Sequence, residues 1–134
     1  MARKINVLLV DDSRTVLAQL ERILGGVEDL AIVGMARDGA GAISMATEAK
    51  PDLVLLDIVM PGLDGLSALR TIKSMHPSIE VAMVSSVGGE AHKAEEAFRL
   101  GACQVLGKPF DPEVIESLVE NVRTAVETRD EGAA

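Results

Sequence analysis

LLVDDSRTV, the stretch from Leu8 to Val16, runs from aliphatic residues of the kind found in cores into two carboxylates and a hydroxyl. Such an aliphatic run is typical of a buried strand in a parallel sheet. Asp12 and Ser13 are suitable N-cap residues for a helix that follows the strand. Capping explains Asp11 less well. The stretch therefore predicts a strand, a turn and a helix, with a carboxylate at the turn that is free to hold something positive.

Five aliphatic runs of this kind alternate with amphipathic segments along the chain. Each run precedes a segment with helical spacing, and the runs are INVLLV, LAIVGMA, DLVLLD, IEVAMVS and CQVLG. Right-handed crossovers lay the helices on both faces of a parallel sheet. The second run contains Gly34 and the fifth contains Gln104, which edge strands tolerate. The pattern predicts an α/β three-layer sandwich with the strand order 2-1-3-4-5.

A single domain with marked helix ends accounts for this pattern. The 134 residues suit one core, and no linker or repeat divides them. The glycine pair at residues 25–26 stops the apolar stripe of the first helix. Asp111 is a suitable N-cap for the last helix, with Pro112 at its first position. We expect a domain over residues 1–128 and a frayed C-terminal tail over residues 129–134.

Composition excludes several classes of partner. The chain has 13 basic and 21 acidic side chains and a formal net charge of -8, which repels nucleic acid phosphates and anionic membrane surfaces. Its one cysteine, Cys103, cannot form an internal disulfide, and the first apolar run is too short for a signal peptide. The only aromatic residues are Phe98 and Phe110, and Phe98 is expected in an otherwise aliphatic core. These features predict a cytoplasmic protein without direct nucleic acid contact or membrane insertion.

Polar residues follow the ends of most of the predicted strands. In a parallel sheet the residues beyond the carboxyl ends of the strands share one rim, where open α/β sheets bind ligands. The segment ARD after the second strand lies well to one side of this rim. The other four strands bring to it Asp11 and Asp12, Asp57, Ser85 and Ser86, and Lys108.

This combination of side chains predicts a metal ion and a phosphoryl group. Three neighbouring carboxylates repel one another, and a hard divalent cation with oxygen ligands, most naturally Mg²⁺, relieves the repulsion. A lysine and a hydroxyl complement the charged oxygens of a transferring phosphoryl group. An ionised aspartate needs no general base, so Asp57 is the expected nucleophile and forms an acyl phosphate. Taken singly, Asp57 also fits a turn ahead of Pro61, and Ser85 also fits a bond to the backbone.

Four separated motifs, LLVDD, DLVLLDIVMPGLDG, VSS and GKPF, resemble the receiver domain of two-component response regulators. The resemblance covers nearly the whole chain and is greatest to single-domain chemotaxis regulators of the CheY type. It implies a (βα)5 flavodoxin-like fold with the order 2-1-3-4-5. It further implies Asp57 as the phosphoacceptor, Asp11, Asp12, Asp57 and the carbonyl of Val59 as Mg²⁺ ligands, and Ser85 and Lys108 as catalytic partners of the phosphoryl group.

The predicted switch region, formed by Ser85, Ser86 and Val105, departs from that family in one place. Receivers that signal through a hydroxyl and an aromatic residue usually carry Tyr or Phe where this chain has Val105. A valine has few rotamers and cannot swing as a ring does. Signalling should therefore depend more on the loop after the fourth strand, where Gly88 and Gly89 allow many backbone conformations. The Ser-x-x-Gly pattern of this loop points to chemotaxis or another motility circuit.

The resulting hypothesis is a stand-alone receiver that a sensor histidine kinase phosphorylates on Asp57 in a Mg²⁺-dependent reaction. Phosphorylation would alter the face formed by helix 4, strand 5 and helix 5, to which a downstream protein binds. The receiver itself would be a monomer or a phosphorylation-dependent dimer. Such a switch catalyses only its own phosphorylation and slow dephosphorylation. The alternatives are a pseudo-receiver that acts only as an interaction module and a receiver detached from an output domain. A phosphatase of the haloacid dehalogenase type is disfavoured, because Ile58 and Val59 follow Asp57 without a second aspartate.

Overall fold

Strands and helices alternate along the chain in the structure, a computed structural model that describes residues 3–85 and 91–132. In chain order the elements are β1 (Ile5–Val10), α1 (Arg14–Gly25), β2 (Leu30–Ala36), α2 (Gly39–Ala49), β3 (Leu53–Asp57), α3 (Gly65–Met75), β4 (Glu80–Ser85), α4 (Ala91–Arg99), β5 (Gln104–Gly107) and α5 (Pro112–Gly132). Each of the predicted aliphatic runs is a strand, to within one residue at its start.

The five strands form one parallel sheet in the order β2-β1-β3-β4-β5. This confirms the predicted fold class and strand order, including the assignment of the interrupted second and fifth runs to the edges. The register places the carboxyl ends of β1, β3, β4 and β5 side by side. The pairs at that end are Val10 with Leu56, Asp57 with Val84, and Ser85 with Gly107.

The sheet separates two apolar layers. One face packs against α2, α3 and α4, and the other packs against α1 and α5. Successive residues of a strand point to opposite faces, so Leu8 and Val10 lie in the first layer and Val7 and Leu9 in the second. Every residue of β3 is buried, as expected of a central strand covered on both sides. The carboxyl ends of the strands, which carry the predicted site residues, therefore extend from a tightly packed core.

Polar side chains cap the helices where the sequence predicted caps. The Ser13 hydroxyl accepts a hydrogen bond from a backbone N–H in the first turn of α1, and α1 ends at Gly25. A carboxylate oxygen of Asp111 accepts from a backbone N–H at the start of α5. Asp38 and Asp64, which were not predicted as caps, cap α2 and α3 in the same way. These bonds satisfy donors that a helix leaves unpaired at its N-terminus.

The segment expected to fray from residue 129 is instead helical as far as Gly132. Arg129 donates to a carboxylate oxygen of Asp52 at 3.2 Å, and Asp130 accepts from Arg3 at 3.2 Å. These long-range bonds hold the end of α5 against the sheet. α5 is 21 residues long, yet neither it nor any other helix in the described ranges has the length and apolar composition needed to cross a membrane.

Phe98 does not lie in the core, so that prediction is wrong. Its side chain is 53% exposed, whereas the preceding residue, Ala97, is fully buried. Consecutive residues of a helix point about 100° apart. The rotation of α4 that buries Ala97 therefore turns Phe98 toward solvent.

Candidate functional site

Three carboxylates meet at the carboxyl ends of β1 and β3. Asp11 directly follows β1, Asp12 comes next in the turn to α1, and Asp57 is the last residue of β3. One carboxylate oxygen from each lies within 4.8 Å of the others. Asp11 and Asp57 are only 1% and 5% exposed, and Asp12 is exposed. The structure thus brings together the acids that the sequence placed on this rim, with one side open to solvent.

Asp11 has a buried carboxylate oxygen with no hydrogen bond. Its Oδ1 accepts from the Ser13 N–H at 2.9 Å. Its Oδ2 accepts from no group in the described part of the chain. Lys108 Nζ lies 3.2 Å from this oxygen as an ion pair, but without the geometry of a hydrogen bond. A buried anionic oxygen in this state is unfavourable unless a further cation contacts it.

Asp57 lies in surroundings that disfavour its charge. Its Oδ1 accepts a long hydrogen bond of 3.4 Å from the Val59 N–H, and its Oδ2 lies 3.8 Å from Lys108 Nζ. Burial, followed by the charge of nearby Asp11, raises the pKa of Asp57 to about 6, although Lys108 acts in the opposite direction. The carboxylate is therefore mostly ionised at neutral pH but costly to keep so.

Lys108 reaches the acids from the strand next to β4. It follows β5, its N–H donates to the Ser85 carbonyl at 3.0 Å, and its peptide bond to Pro109 is cis. Its ammonium nitrogen lies 3.2 Å from Asp11 Oδ2 and 3.8 Å from Asp57 Oδ2. Ser85 ends β4, the neighbour of the strand that ends in Asp57. Lys108 is thus joined to the acids by charge and to the end of β4 by its backbone.

Gly65 is a residue of this site that the sequence interpretation missed. It is the first residue of α3, and its N–H donates to the Ile58 carbonyl at 2.9 Å. A Cβ at this position would overlap the backbone carbonyl of Asp57. Glycine therefore allows α3 to begin against the end of β3. The available signal was a glycine directly after a capping aspartate, Asp64, but the spacing does not reveal which backbone the glycine faces.

The residues present fit a hard divalent cation. Mg²⁺ prefers carboxylate and carbonyl oxygens and usually retains several waters. Asp11, Asp12 and Asp57 offer carboxylate oxygens close to one another. The buried Oδ2 of Asp11 accepts no hydrogen bond from the residues that the structure describes. Val59 is 50% exposed on the loop after Asp57, and its carbonyl is the remaining candidate ligand. The open side of the cluster leaves room for solvent ligands.

Of the other predicted switch residues, Val105 packs against the core and Ser86 lies outside the described ranges. Ser86 is not among the described residues, and neither are Gly88 and Gly89. Val105 is partly buried and packs against the apolar layer formed with α2, α3 and α4. A β-branched side chain packed in this way has little freedom to change its rotamer. Val105 is therefore a packed side chain of the edge strand β5 that is poorly suited to change its rotamer.

Comparisons with known proteins agree with this geometry. The response regulator receiver domain family matches residues 7–120. Protein-glutamate methylesterase/protein-glutamine glutaminase 5 of Myxococcus xanthus is 42% identical over 127 residues, which cover 90% of this chain and 36% of the relative. The corresponding enzyme of Thermotoga maritima is 39% identical over 131 residues, covering 92% of this chain and 38% of the relative. The chain thus spans little more than a third of the length of these relatives.

Solved structures share the fold. The response regulator domain of Thermotoga maritima CheB matches with a TM-score of 0.80 and 38% identity, covering 93% of this chain and 98% of that one. A chain in the CheX-CheY-BeF3-Mg²⁺ complex of Borrelia burgdorferi matches with a TM-score of 0.82 and 31% identity, covering 90% of both chains. Since the family match covers most of the sequence and contains the acid cluster and Lys108, the chain belongs to the response regulator receiver domain family.

Proposed function

We propose that this receiver is a switch in which a sensor histidine kinase transfers a phosphoryl group to Asp57 when Mg²⁺ is bound. The observation that carries the proposal is the position of buried Asp57 beside two further carboxylates and 3.8 Å from Lys108 Nζ. Phosphoryl transfer needs a positioned nucleophile and positive charge around the transferred oxygens. The cluster offers a nucleophile, ligands for a cation and a fixed ammonium group.

Asp57 supplies the nucleophile in this proposal. A carboxylate oxygen attacks the phosphorus of a phosphohistidine, and the P–N bond breaks as the P–O bond forms. The electron pair of the broken bond leaves with the imidazole, which is protonated from solvent. With a pKa of about 6, Asp57 is mostly ionised at pH 7 and needs no general base. When bound, Mg²⁺ would neutralise part of the negative charge on the phosphoryl oxygens. Attack of water on the phosphorus later releases phosphate and restores the carboxylate.

Lys108 and Ser85 are the residues that respond to phosphorylation of Asp57 in this proposal. Lys108 Nζ already lies between the carboxylates of Asp11 and Asp57, so it needs only a short movement to contact a phosphoryl oxygen on Asp57. Its backbone hydrogen bond to Ser85 joins the segment after β5 to the end of β4. A new anionic group on Asp57 therefore draws Lys108 and the Ser85 hydroxyl inward, and the adjoining loops move with them.

The output surface is the face formed by α4, β5 and α5. Two large apolar side chains are exposed in the described parts of these helices, Phe98 at 53% and Val114 at 38%. Aromatic side chains are enriched at protein interfaces, so Phe98 is the better candidate anchor of the two. A downstream protein would bind this face when Asp57 is phosphorylated, with the receiver either monomeric or dimeric.

A second candidate is the same switch inside a longer protein. The chain matches 36% and 38% of the two methylesterase relatives, so the receiver would there regulate an output domain rather than act alone. The similarity to the methylesterase relatives supports, for both forms, a proposed role in chemotaxis or a related motility circuit. The pseudo-receiver alternative is less well supported, because the cluster retains Asp11, Asp12, Asp57 and Lys108.

Intact-protein mass spectrometry after incubation with acetyl phosphate and Mg²⁺ tests the proposal. We expect a single phosphoryl adduct on the wild-type chain and none on Asp57→Asn or in excess chelator. Asp130→Asn, which changes a half-exposed carboxylate outside the cluster, should keep the adduct. An adduct on Asp57→Asn would contradict the choice of phosphoacceptor. A wild-type chain without any adduct would favour the pseudo-receiver.

A further inference from the structure

The end of β2 contributes no acid to the site, yet it contacts the turn that carries two of them. Residues 36–39, here called the β2–α2 junction, connect the strand to the helix. The carbonyl of Ala36 accepts from the Asp11 N–H at 3.1 Å. Arg37 Nη2 donates to the Asp12 carbonyl at 3.3 Å. The sequence interpretation set this segment well to one side, whereas the structure places it directly against the acids of the first loop.

Gly39 places the same junction against the second acid-bearing loop. It is the buried first residue of α2. A Cβ built on Gly39 would lie 2.5 Å from the backbone carbonyl oxygen of Leu63 and 3.0 Å from its Cβ. Leu63 belongs to the loop of residues 58–64 between β3 and α3, which also contains Val59. Because the obstructing atom is in the backbone, a change of rotamer cannot make room, and the helix or the loop has to move.

The loop is the part that gives way. Ala42 and Ala46 of α2 are fully buried against the core, and Asp38 caps the helix. In the loop, by contrast, Val59 is 50% and Leu63 40% exposed, while Ile58 and Met60 are buried in the core. Tightly packed elements resist displacement, whereas exposed loops adjust. A side chain at residue 39 would therefore displace the exposed part of the loop around Leu63 and disturb the position of the candidate carbonyl ligand, Val59.

We propose that the β2–α2 junction sets the spacing between the two acid-bearing loops, so that Arg37 and Gly39 are positioning residues for the divalent cation. Arg37 fixes the backbone at Asp12, and the missing side chain of Gly39 lets the loop after β3 approach. Neither residue supplies a ligand, and both act on the groups that do. The inference rests on the proposed function, because it requires that Mg²⁺ binds among the carboxylates.

The first test compares Gly39→Ala with Gly25→Ala. A Cβ at Gly25 meets no atom within 4 Å, so the same chemical change there should leave the site intact. Isothermal titration calorimetry measures the Kd for Mg²⁺, since the chain has no Trp or Tyr to report binding. We expect the Kd to rise roughly tenfold or more in Gly39→Ala, as when residues that orient metal ligands are replaced. The Kd of Gly25→Ala should equal that of the wild type.

Two further measurements separate a positioning role from a general loss of structure. Thermal unfolding in excess chelator should remain cooperative in Gly39→Ala. Saturating Mg²⁺ should restore its labelling by acetyl phosphate to near the wild-type level, because the nucleophile itself is unchanged. An unchanged Kd, or labelling that excess Mg²⁺ does not restore, would overturn the role assigned to Gly39.

Arg37→Ala keeps the inference testable if Gly39→Ala fails to fold. Arg37 is exposed, and Arg70 on α3 is an exposed arginine suited to be its control. At 0.15 M salt, where exposed charges are screened, loss of one hydrogen bond should raise the Kd for Mg²⁺ about two- to fivefold. Equal affinities for Arg37→Ala and Arg70→Ala would overturn the role of Arg37 in the junction. A wild-type chain that binds no Mg²⁺ would instead overturn the proposed function.

Discussion

Asp57 keeps a negative charge in a buried place, which is unfavourable for the metal-free protein. Burial and the charge of Asp11 raise its pKa from 3.8 to about 6. Between these values the unfolded chain has already lost the proton that the folded chain still holds, so stability falls as the pH rises through this window. At about 1.4 kcal/mol for each pKa unit, the full cost above the window is about 3 kcal/mol at most.

Asp57→Asn should therefore stabilise the metal-free protein. We expect a gain of about 1–3 kcal/mol in the free energy of unfolding at pH 7, which shrinks as the pH is lowered through 6 toward 5. Urea unfolding in excess chelator, followed by far-UV circular dichroism, measures this gain. Glu95→Gln, which neutralises an exposed carboxylate on α4, should show no such gain. A less stable Asn variant at pH 7 would contradict the unfavourable charge inferred for Asp57.

The sequence locates some residues of the site and conceals others for a physical reason. Asp11 and Lys108 each follow a strand and Asp57 ends one. Because the ends of parallel strands coincide, their convergence could be predicted. Gly39 and Gly65 matter because of backbone atoms in a separate loop or strand end. Such contacts between distant segments leave no periodic signal. A glycine in the sequence also looks the same whether it faces solvent or a carbonyl group.

At the scale of elements, α3 begins in close contact with the end of β3, and Gly65 permits this contact. Gly65→Ala places a methyl group where the backbone of Asp57 lies, so strand and helix must separate. We expect a loss of about 1–3 kcal/mol in the free energy of unfolding, as for overpacked positions. Urea unfolding at pH 7 measures the loss. Gly26→Ala is the control, because a Cβ there would lie 3.6 Å from its nearest atom; equal stabilities would refute the close approach.

Strands and helices were predictable to the extent that local patterns determine them. The continuous aliphatic run of β3 follows from burial on both faces, and the caps follow from polar residues before the helices. Phe98 could not be placed, because α4 has only nine residues and its rotation depends on packing. The end of α5 depends on contacts such as that of Asp130 with Arg3, 127 positions away in the sequence. Contacts at that separation are set by the fold as a whole.

At the scale of the whole molecule, the two ends of β3 carry buried carboxylates with opposite effects. Asp52 precedes the strand and accepts from Arg3 at 2.7 and 2.8 Å and from Arg129 at 3.2 Å. Burial alone would raise the pKa of Asp52, but hydrogen bonds from Arg3 and from the Asn6 N–H hold it below its usual value. The charges around Asp52 thus stabilise the amino-terminal end of β3, whereas the charge of Asp57 destabilises its carboxyl end.

Asp52→Asn tests whether the charges at the amino-terminal end of β3 stabilise the fold without affecting the acid cluster at the other end. The change removes one charged partner from Arg3 and from Arg129, and Asp130 remains as the other. We expect about 1–3 kcal/mol less free energy of unfolding at pH 7, as for the loss of hydrogen bonds to a charged group. A depressed pKa stabilises the fold fully above the unfolded value of 3.8. This contribution declines as the pH falls below 3.8 and is lost once the pH falls through the lower pKa of the folded carboxyl group. The difference between Asp52→Asn and the wild type should therefore narrow in urea titrations at pH 3.5.

The same variant should leave the Kd for Mg²⁺ unchanged, because Asp52 and the acid cluster lie at opposite ends of β3. Arg129→Ala is the milder control, since both hydrogen bonds from Arg3 to Asp52 remain. Calorimetry with Mg²⁺ at pH 7 on both variants completes the comparison. If only Asp52→Asn bound Mg²⁺ more weakly, β3 would transmit the loss of the ion pairs of Asp52 to the acid cluster. The two ends of β3 would then be coupled rather than independent.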